Sequence, residues 1–296
     1  MISNQSHLFN LPKDITFLNG AYMAPLLNSV AKIGTENLLK KTNPTSISAT
    51  DFFTNTKILK QKFAQLVEVA DAGQIAIIPS VSYGMATVAN NISLKADDEI
   101  IMLQEQFPSN VYTWQKLAKK YAAKVVFVEA PKLKLGRGKL WNEAILNAIT
   151  DKTAVVAMPH VHWADGTLFD LEKIRQKTKK HNALLIIDGT QSVGALPFSV
   201  AKIQPDALIC AGYKWLMGAY GLGLAYFSKT FNDGIPIEDN WINRFESEDF
   251  SNLVNYQENY QPKAGRYNMG EVSNFVYTPM LTKAIEQILE WQPQNI

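Results

Sequence analysis

Seven short apolar runs, separated by longer amphipathic stretches, narrow what this chain can fold into more than any other feature. They are QIAIIP (74–79), EIIML (99–103), AKVVFVE (123–129), TAVVAMPHV (153–161), NALLIID (182–188), DALICA (206–211) and GLAYF (223–227). Each is close to continuously apolar, the pattern of a strand covered on both faces. Helical patterns lie between them, near residues 55–70, 83–92, 109–121, 142–150 and 170–180. Strands alternating with helices predict an α/β protein: three layers, α/β/α, around a mostly parallel sheet.

Other classes are excluded on composition and motif. Of the 296 residues, 47% are hydrophobic and 19% charged, which suits a packed globule and not a disordered chain. A net charge of +2 with both signs mixed along the chain leaves no basic stripe for nucleic acid. No apolar run reaches membrane-spanning length, and MISNQSHLFNLPKD has neither the basic start nor the apolar core of a signal peptide. With one cysteine and no internal disulfide, a cytoplasmic setting is expected. His160 and His162 are close-set but lack an accompanying cysteine or acidic cluster, so no metal site is expected.

In a parallel sheet, ligands bind beyond the carboxyl ends of the strands. The residues just after each run are therefore the informative ones. Ser80 and Ser82 stand at a helix start with Gly84 in its first turn, either a plain N-cap or an anion site. Phe107, before Pro108, is either a core aromatic or a ring to stack on a flat ligand. Trp163 walls a pocket or caps the core. Asp188 ends an apolar strand, where a bare carboxylate is costly unless it caps a helix or meets a partner. Gln191 follows three residues later. Lys214 sits between Tyr213 and Trp215, ahead of Gly218, Gly221 and Gly223, in a setting too apolar for an ordinary snorkelling lysine.

One chemistry uses all of these residues. A lysine amine in an apolar site loses its proton readily and adds to an aldehyde. Pyridoxal phosphate needs such an amine, an acid opposite its pyridine nitrogen, an aromatic face and a helix N-terminus for its phosphate. Lys214, Asp188, Phe107 and the Ser80–Ser82 turn supply these four parts. One crossover and one strand separate Asp188 from Lys214, so both fall at the same sheet edge.

The blocks LLIIDGTQSVGALPFSV and DALICAGYKWLMGAYGLGLAYF resemble the class V aminotransferase family of fold-type I pyridoxal phosphate enzymes, which includes cysteine desulfurases, selenocysteine lyases, isopenicillin N epimerase and kynureninase. FLNGAYMAPL, SVSYGMATVANN, QFPSNVYTW and HVHWADGTLFDLEKI resemble further segments of that family, so the likeness covers nearly the whole chain. It implies that Lys214 bonds the cofactor as a Schiff base and shuttles the proton. It implies that Asp188 pairs with the pyridinium, Gln191 bonds the ring's phenolic oxygen, Ser82 with the backbone at Val81 holds the phosphate, Phe107 stacks on the ring and Tyr213 reaches the phosphate. A homodimer acting on an amino acid, by transamination or lyase-type cleavage, is expected with it.

Phe107 and Tyr213 resemble kynureninase-like members more than desulfurases. A desulfurase also needs a cysteine on a mobile loop, whereas Cys210 lies inside an apolar run. In AGRYNMGEVSNF (264–275), Glu271 occupies the family's phosphate-contacting threonine position, which puts that contact in question. The family continues into a small C-terminal domain carrying a substrate-binding arginine. The resemblance divides this chain into a large cofactor-binding domain, 20–255, and a partial small domain, 1–19 with 256–296. Arg266 and Arg244 are the remaining candidates for the substrate carboxylate, with Trp163 beside it. A cofactor-binding protein without turnover is the alternative. A nucleotide-binding sheet lacks its Gly-x-Gly-x-x-Gly turn.

Overall fold

The computed structural model describes residues 2–133 and 135–296. All seven apolar runs are strands: β1 (Ile75–Ile78), β2 (Glu99–Leu103), β3 (Lys124–Val128), β4 (Thr153–Pro159), β5 (Leu184–Asp188), β6 (Ala207–Ala211) and β7 (Gly223–Phe227). They form one sheet in the order β1-β7-β6-β5-β4-β2-β3. β3, β2, β4, β5 and β6 pair in parallel. β7 runs antiparallel between β6 and β1. The segment that leads into β7 therefore arrives at the edge where the parallel strands end.

The helices are α1 (Asn28–Lys40), α2 (Asp51–Leu66), α3 (Val81–Asn90), α4 (Tyr112–Tyr121), α5 (Arg137–Ala148), α6 (Leu171–Lys180), α7 (Val200–Ile203) and α8 (Tyr277–Trp291). Local chemistry sets their ends. Asp170 caps α6 by accepting the Lys173 N–H at 3.1 Å, while Lys177, Lys179 and Lys180 meet its negative C-terminal end. Among the described residues no helix is long and apolar enough to cross a membrane.

The continuous apolarity of the strands has a direct cause. Alternate side chains enter two separate cores. Ile75, Ile77, Ile101, Leu103, Leu185, Ile187 and Leu208 pack with Phe63, Trp141 and Phe169 on the face covered by α2, α5, α6 and α8. Ala76, Ile78, Ile100, Met102, Ile186 and Ile209 pack with Trp114 and Met85 on the face covered by α3 and α4. Leu281, Ile285 and Ile288 of α8 belong to the first of these cores. Gly84 lets α3 lie close on the sheet, because a Cβ there would stand 2.7 Å from Ile209.

Candidate active site

The carboxyl ends of β1, β2, β4, β5 and β6 converge on a cavity of about 230 Å³. Its wall takes Ser80, Val81 and Ser82 from the turn after β1 and Phe107 from the turn after β2. Trp163 follows β4, Asp188 and Gln191 close β5, and Tyr213 and Lys214 follow β6. Eight positions proposed from sequence thus meet, with Ser80, around one space: Val81, Ser82, Phe107, Trp163, Asp188, Gln191, Tyr213 and Lys214.

Lys214 is 7% exposed, and its Nζ lies 5.3 Å from the centre of the Phe107 ring. Its Nζ forms no hydrogen bond or ion pair among the described residues. Burial pushes its ammonium below the usual lysine value, and the charge of Asp188 opposes this only in part. Asp188 is also 7% exposed, and burial raises its carboxyl above the ordinary range. Thr190 works against that rise, its backbone N–H donating to Asp188 Oδ1 at 3.0 Å. The cavity drives both the base and the acid toward their neutral forms, the setting that makes a lysine nucleophilic at neutral pH.

The surrounding groups are held from behind. Trp163 packs edge-on to Phe107, with ring centres 5.5 Å apart at 83°, and its indole donates to the Glu105 carbonyl at 2.7 Å. Gln191 donates from Nε2 to the Ala21 carbonyl at 3.0 Å and accepts the Trp215 indole N–H on Oε1 at 3.1 Å. Tyr213 packs on Tyr220, with ring centres 4.5 Å apart, and its carbonyl accepts the Ala24 N–H at 3.2 Å. Ser80 does cap α3, accepting the Tyr83 N–H at 3.2 Å. The first-turn N–H groups of Val81 and Ser82 have no protein acceptor among the described residues. The cap leaves these two N–H donors at the cavity wall, an arrangement compatible with receiving an anion.

Arg266 does not join the cavity. It donates to the Gly234 carbonyl at 2.9 Å and lies 5.8 Å from the Tyr260 ring. The physical reason lies in the turn at Lys263–Tyr267 and the residues after it, which line the outer edge of β1. Asn268 Oδ1 accepts the Ile77 N–H, and Met269 donates to the Ile77 carbonyl. Arg244 is also turned away, paired with Asp239 at 2.7 Å and stacked on Tyr260 at 4.2 Å. Glu271 is exposed at a positive φ of 57° and is not part of the cavity wall. Cys210 is fully buried within β6, where burial raises its thiol pKa. His160 packs on Phe198, while His162 packs on Trp141 and lies 3.2 Å from the Gln104 carbonyl, so the two rings have separate surroundings.

Sequence reasoning missed Thr190, Gln106, Ser109 and Tyr220, which also line the cavity. Thr190 was the most findable of these: a hydroxyl two residues past a strand-ending aspartate is placed to turn back and bond it. Its Oγ1 also accepts the Ala211 N–H at 3.1 Å, tying β5 to β6 beside the cavity.

A family model described as Aminotransferase class-V matches residues 34–240. The uncharacterized aminotransferase YcbU of Bacillus subtilis is 28% identical over 190 residues, which is 64% of this chain and 49% of that protein. A probable cysteine desulfurase of Pyrococcus abyssi is 31% identical over 166 residues, 55% of this chain and 40% of that protein. These matches span about half the length of the curated relatives or less. Among solved structures, a C-DES mutant with glycine covalently linked to its PLP cofactor superposes with a TM-score of 0.85 at 20% identity, covering 97% of this chain and 74% of that one. The cysteine desulfurase of Thermococcus onnurineus superposes with a TM-score of 0.81 at 20% identity, covering 99% and 73%.

Proposed function

Since the chain belongs to the aminotransferase class-V family, we propose that it is a pyridoxal-phosphate-dependent enzyme acting on an amino acid. The observation that carries this reading is the pairing of Lys214 and Asp188. Both are buried in one cavity, both are pushed toward neutrality, and no salt bridge joins them. A protein holding a lysine for stability alone would give it a carboxylate partner. The cofactor fits the remaining groups: a half-exposed ring at Phe107, free N–H groups at the start of α3, and an acid 7% exposed.

When bound, pyridoxal phosphate supplies an electron sink for bonds to the substrate's α-carbon. The protein's own residues do the rest. Lys214 would present its amine to the cofactor and hold or pass a proton at Nζ. Asp188 would be the acid facing the pyridine nitrogen. Val81 and Ser82 receive the phosphate at the positive end of α3. Phe107 and Trp163 shield one side of the cavity from water.

Phe107 and Tyr213 support a kynureninase-like site over a desulfurase. The burial of Cys210 in β6 supports the same choice, since that thiol cannot reach the cavity. The chemistry we infer is transamination or a lyase-type cleavage. A homodimer completes the reading: Tyr22 and Tyr220, each 68% exposed, stand as apolar surface beside the cavity. One observation favours a second reading, a binder without turnover. No arginine is among the described residues that line the cavity, so the group that would grip a substrate carboxylate is not in place.

A panel of amino acids added to the protein loaded with pyridoxal phosphate separates the two. An enzyme changes its visible spectrum with at least one of them and releases product. A spectrum unmoved by every amino acid contradicts the enzymatic reading and leaves the binder.

A further inference from the structure

We propose that Trp215 is a positioning residue, fixing the orientation of the Gln191 amide so that an N–H and not the amide oxygen faces the cavity. This rests on reading the cavity as a pyridoxal phosphate site. Trp215 does not line the cavity, whereas Gln191 does. The indole N–H reaches the cavity through Gln191, the residue it bonds.

Two hydrogen bonds set the amide. Oε1 accepts the Trp215 indole N–H at 3.1 Å, and Nε2 donates to the Ala21 carbonyl at 3.0 Å. Both demand the same orientation, because the indole only donates and the carbonyl only accepts. One Nε2 hydrogen is left for the cavity. A flipped amide would instead present an acceptor to the anionic oxygen of the ring.

The indole is itself locked. A Cβ at Gly20 would stand 3.1 Å from the Trp215 ring, so the leading segment lies directly against it. Gly194, at φ +103°, lies under the Trp215 carbonyl with no room for a side chain. Glycines on both sides let the two loops close on this tryptophan and give its N–H a single direction.

The test is a double-mutant cycle on cofactor binding with Trp215→Phe and Gln191→Leu, Phe keeping a ring while removing the donor. Pyridoxal phosphate affinity and the pH midpoint of its visible band are measured for the native protein, both single variants and the double variant. We expect Trp215→Phe to weaken binding roughly three- to tenfold, the worth of one partly buried hydrogen bond. It should also raise the pH midpoint, because a donor to the phenolic oxygen is less well held. Both effects should vanish in the Gln191→Leu background. An equal loss in both backgrounds, or no loss in either, overturns the proposal.

The contact is also read without cofactor. Hydrogen exchange at the Trp215 indole should be slow in the native protein and fast in Gln191→Leu, and fast exchange in both overturns the proposal. Failure of the native protein to take up cofactor overturns the reading of the cavity instead, and this proposal with it.

Discussion

Each end of the register shared by strands β5 and β6 has a buried acid beside a base, and the two ends treat the pair in opposite ways. At the amino end, Asp206 meets Arg175 of α6 through two contacts of 2.7 and 3.4 Å. The same carboxylate accepts the Leu185 N–H at 2.8 Å. Desolvation of the pair is offset by a fork-shaped contact and a backbone donor, and the result staples α6 to the start of both strands. At the carboxyl end, the Asp188 carboxylate has Thr190 as its one hydrogen-bond donor among the described residues, and the Lys214 ammonium faces an aromatic ring. Burial there is offset only in part. The difference separates a pair kept for structure from a pair kept for chemistry, since groups held short of their partners are the ones free to react.

The largest way to break this comparison is at the satisfied end. Asp206→Ala strands the Arg175 guanidinium in a site 14% exposed and should cost about 3–5 kcal/mol in urea unfolding. A loss under about 1 kcal/mol would mean that the pair is screened like a surface bridge and the contrast is false. Next comes Gly194→Ala, which forces an L residue to φ +103° and drives Cβ into the Trp215 carbonyl. We expect about 2 kcal/mol of destabilisation together with weaker cofactor uptake, because the clash displaces the loop carrying Lys214. Native affinity with lowered stability would show that the loop tolerates the shift.

At the unsatisfied end the sign reverses. Asp188 has a folded pKa above its ordinary 3.8, so the folded state binds more protons than the unfolded one as pH rises from there. Its contribution to stability therefore falls with rising pH through that window. Asp188→Asn does not titrate, and cofactor-free protein carrying it should be more stable than the native protein, with the gap widening as pH rises above the ordinary carboxylate value. A variant less stable than native at pH 7 would make Asp188 a structural partner of Lys214. The smallest effect is at Ser80. Ser80→Ala removes the cap of α3 and should cost up to about 1 kcal/mol while weakening phosphate-dependent binding. Unchanged binding of the phosphate form relative to unphosphorylated pyridoxal would detach this turn from the site.

How much of this was legible in the sequence depended on periodicity. Six strands could be read because both of their faces are largely buried, as at Ile75–Ile78 and Ala207–Ala211, while edge strand β3 was legible from its apolar run although Lys124 and Phe127 are exposed. α1 was not, because Gly34 reads as a breaker. In the fold that glycine is where Met280 of α8 crosses, and a Cβ there would stand 2.6 Å from its sulfur. Residues 228–276 carry only short 3₁₀ turns, and their packing rests on edge-on aromatics such as Trp241 and Phe250 against Phe52, which no period announces. The site was legible for the residues that end strands, because the fold itself brings those ends together. Arg266 was not, since nothing local says that its turn runs along the outer edge of β1. Trp215 was quoted beside Lys214 only as an apolar neighbour, because its hydrogen bond to Gln191 crosses between two loops.

The central claim is that Lys214 is left unpaired in order to react, and its most direct measurement is the visible spectrum of native protein and Lys214→Ala with added pyridoxal phosphate. The native protein should show a borohydride-reducible band, after which the cofactor stays attached to the peptide carrying Lys214, and the variant should show no such band. An equal band in both proteins, or label on any other lysine, would contradict it.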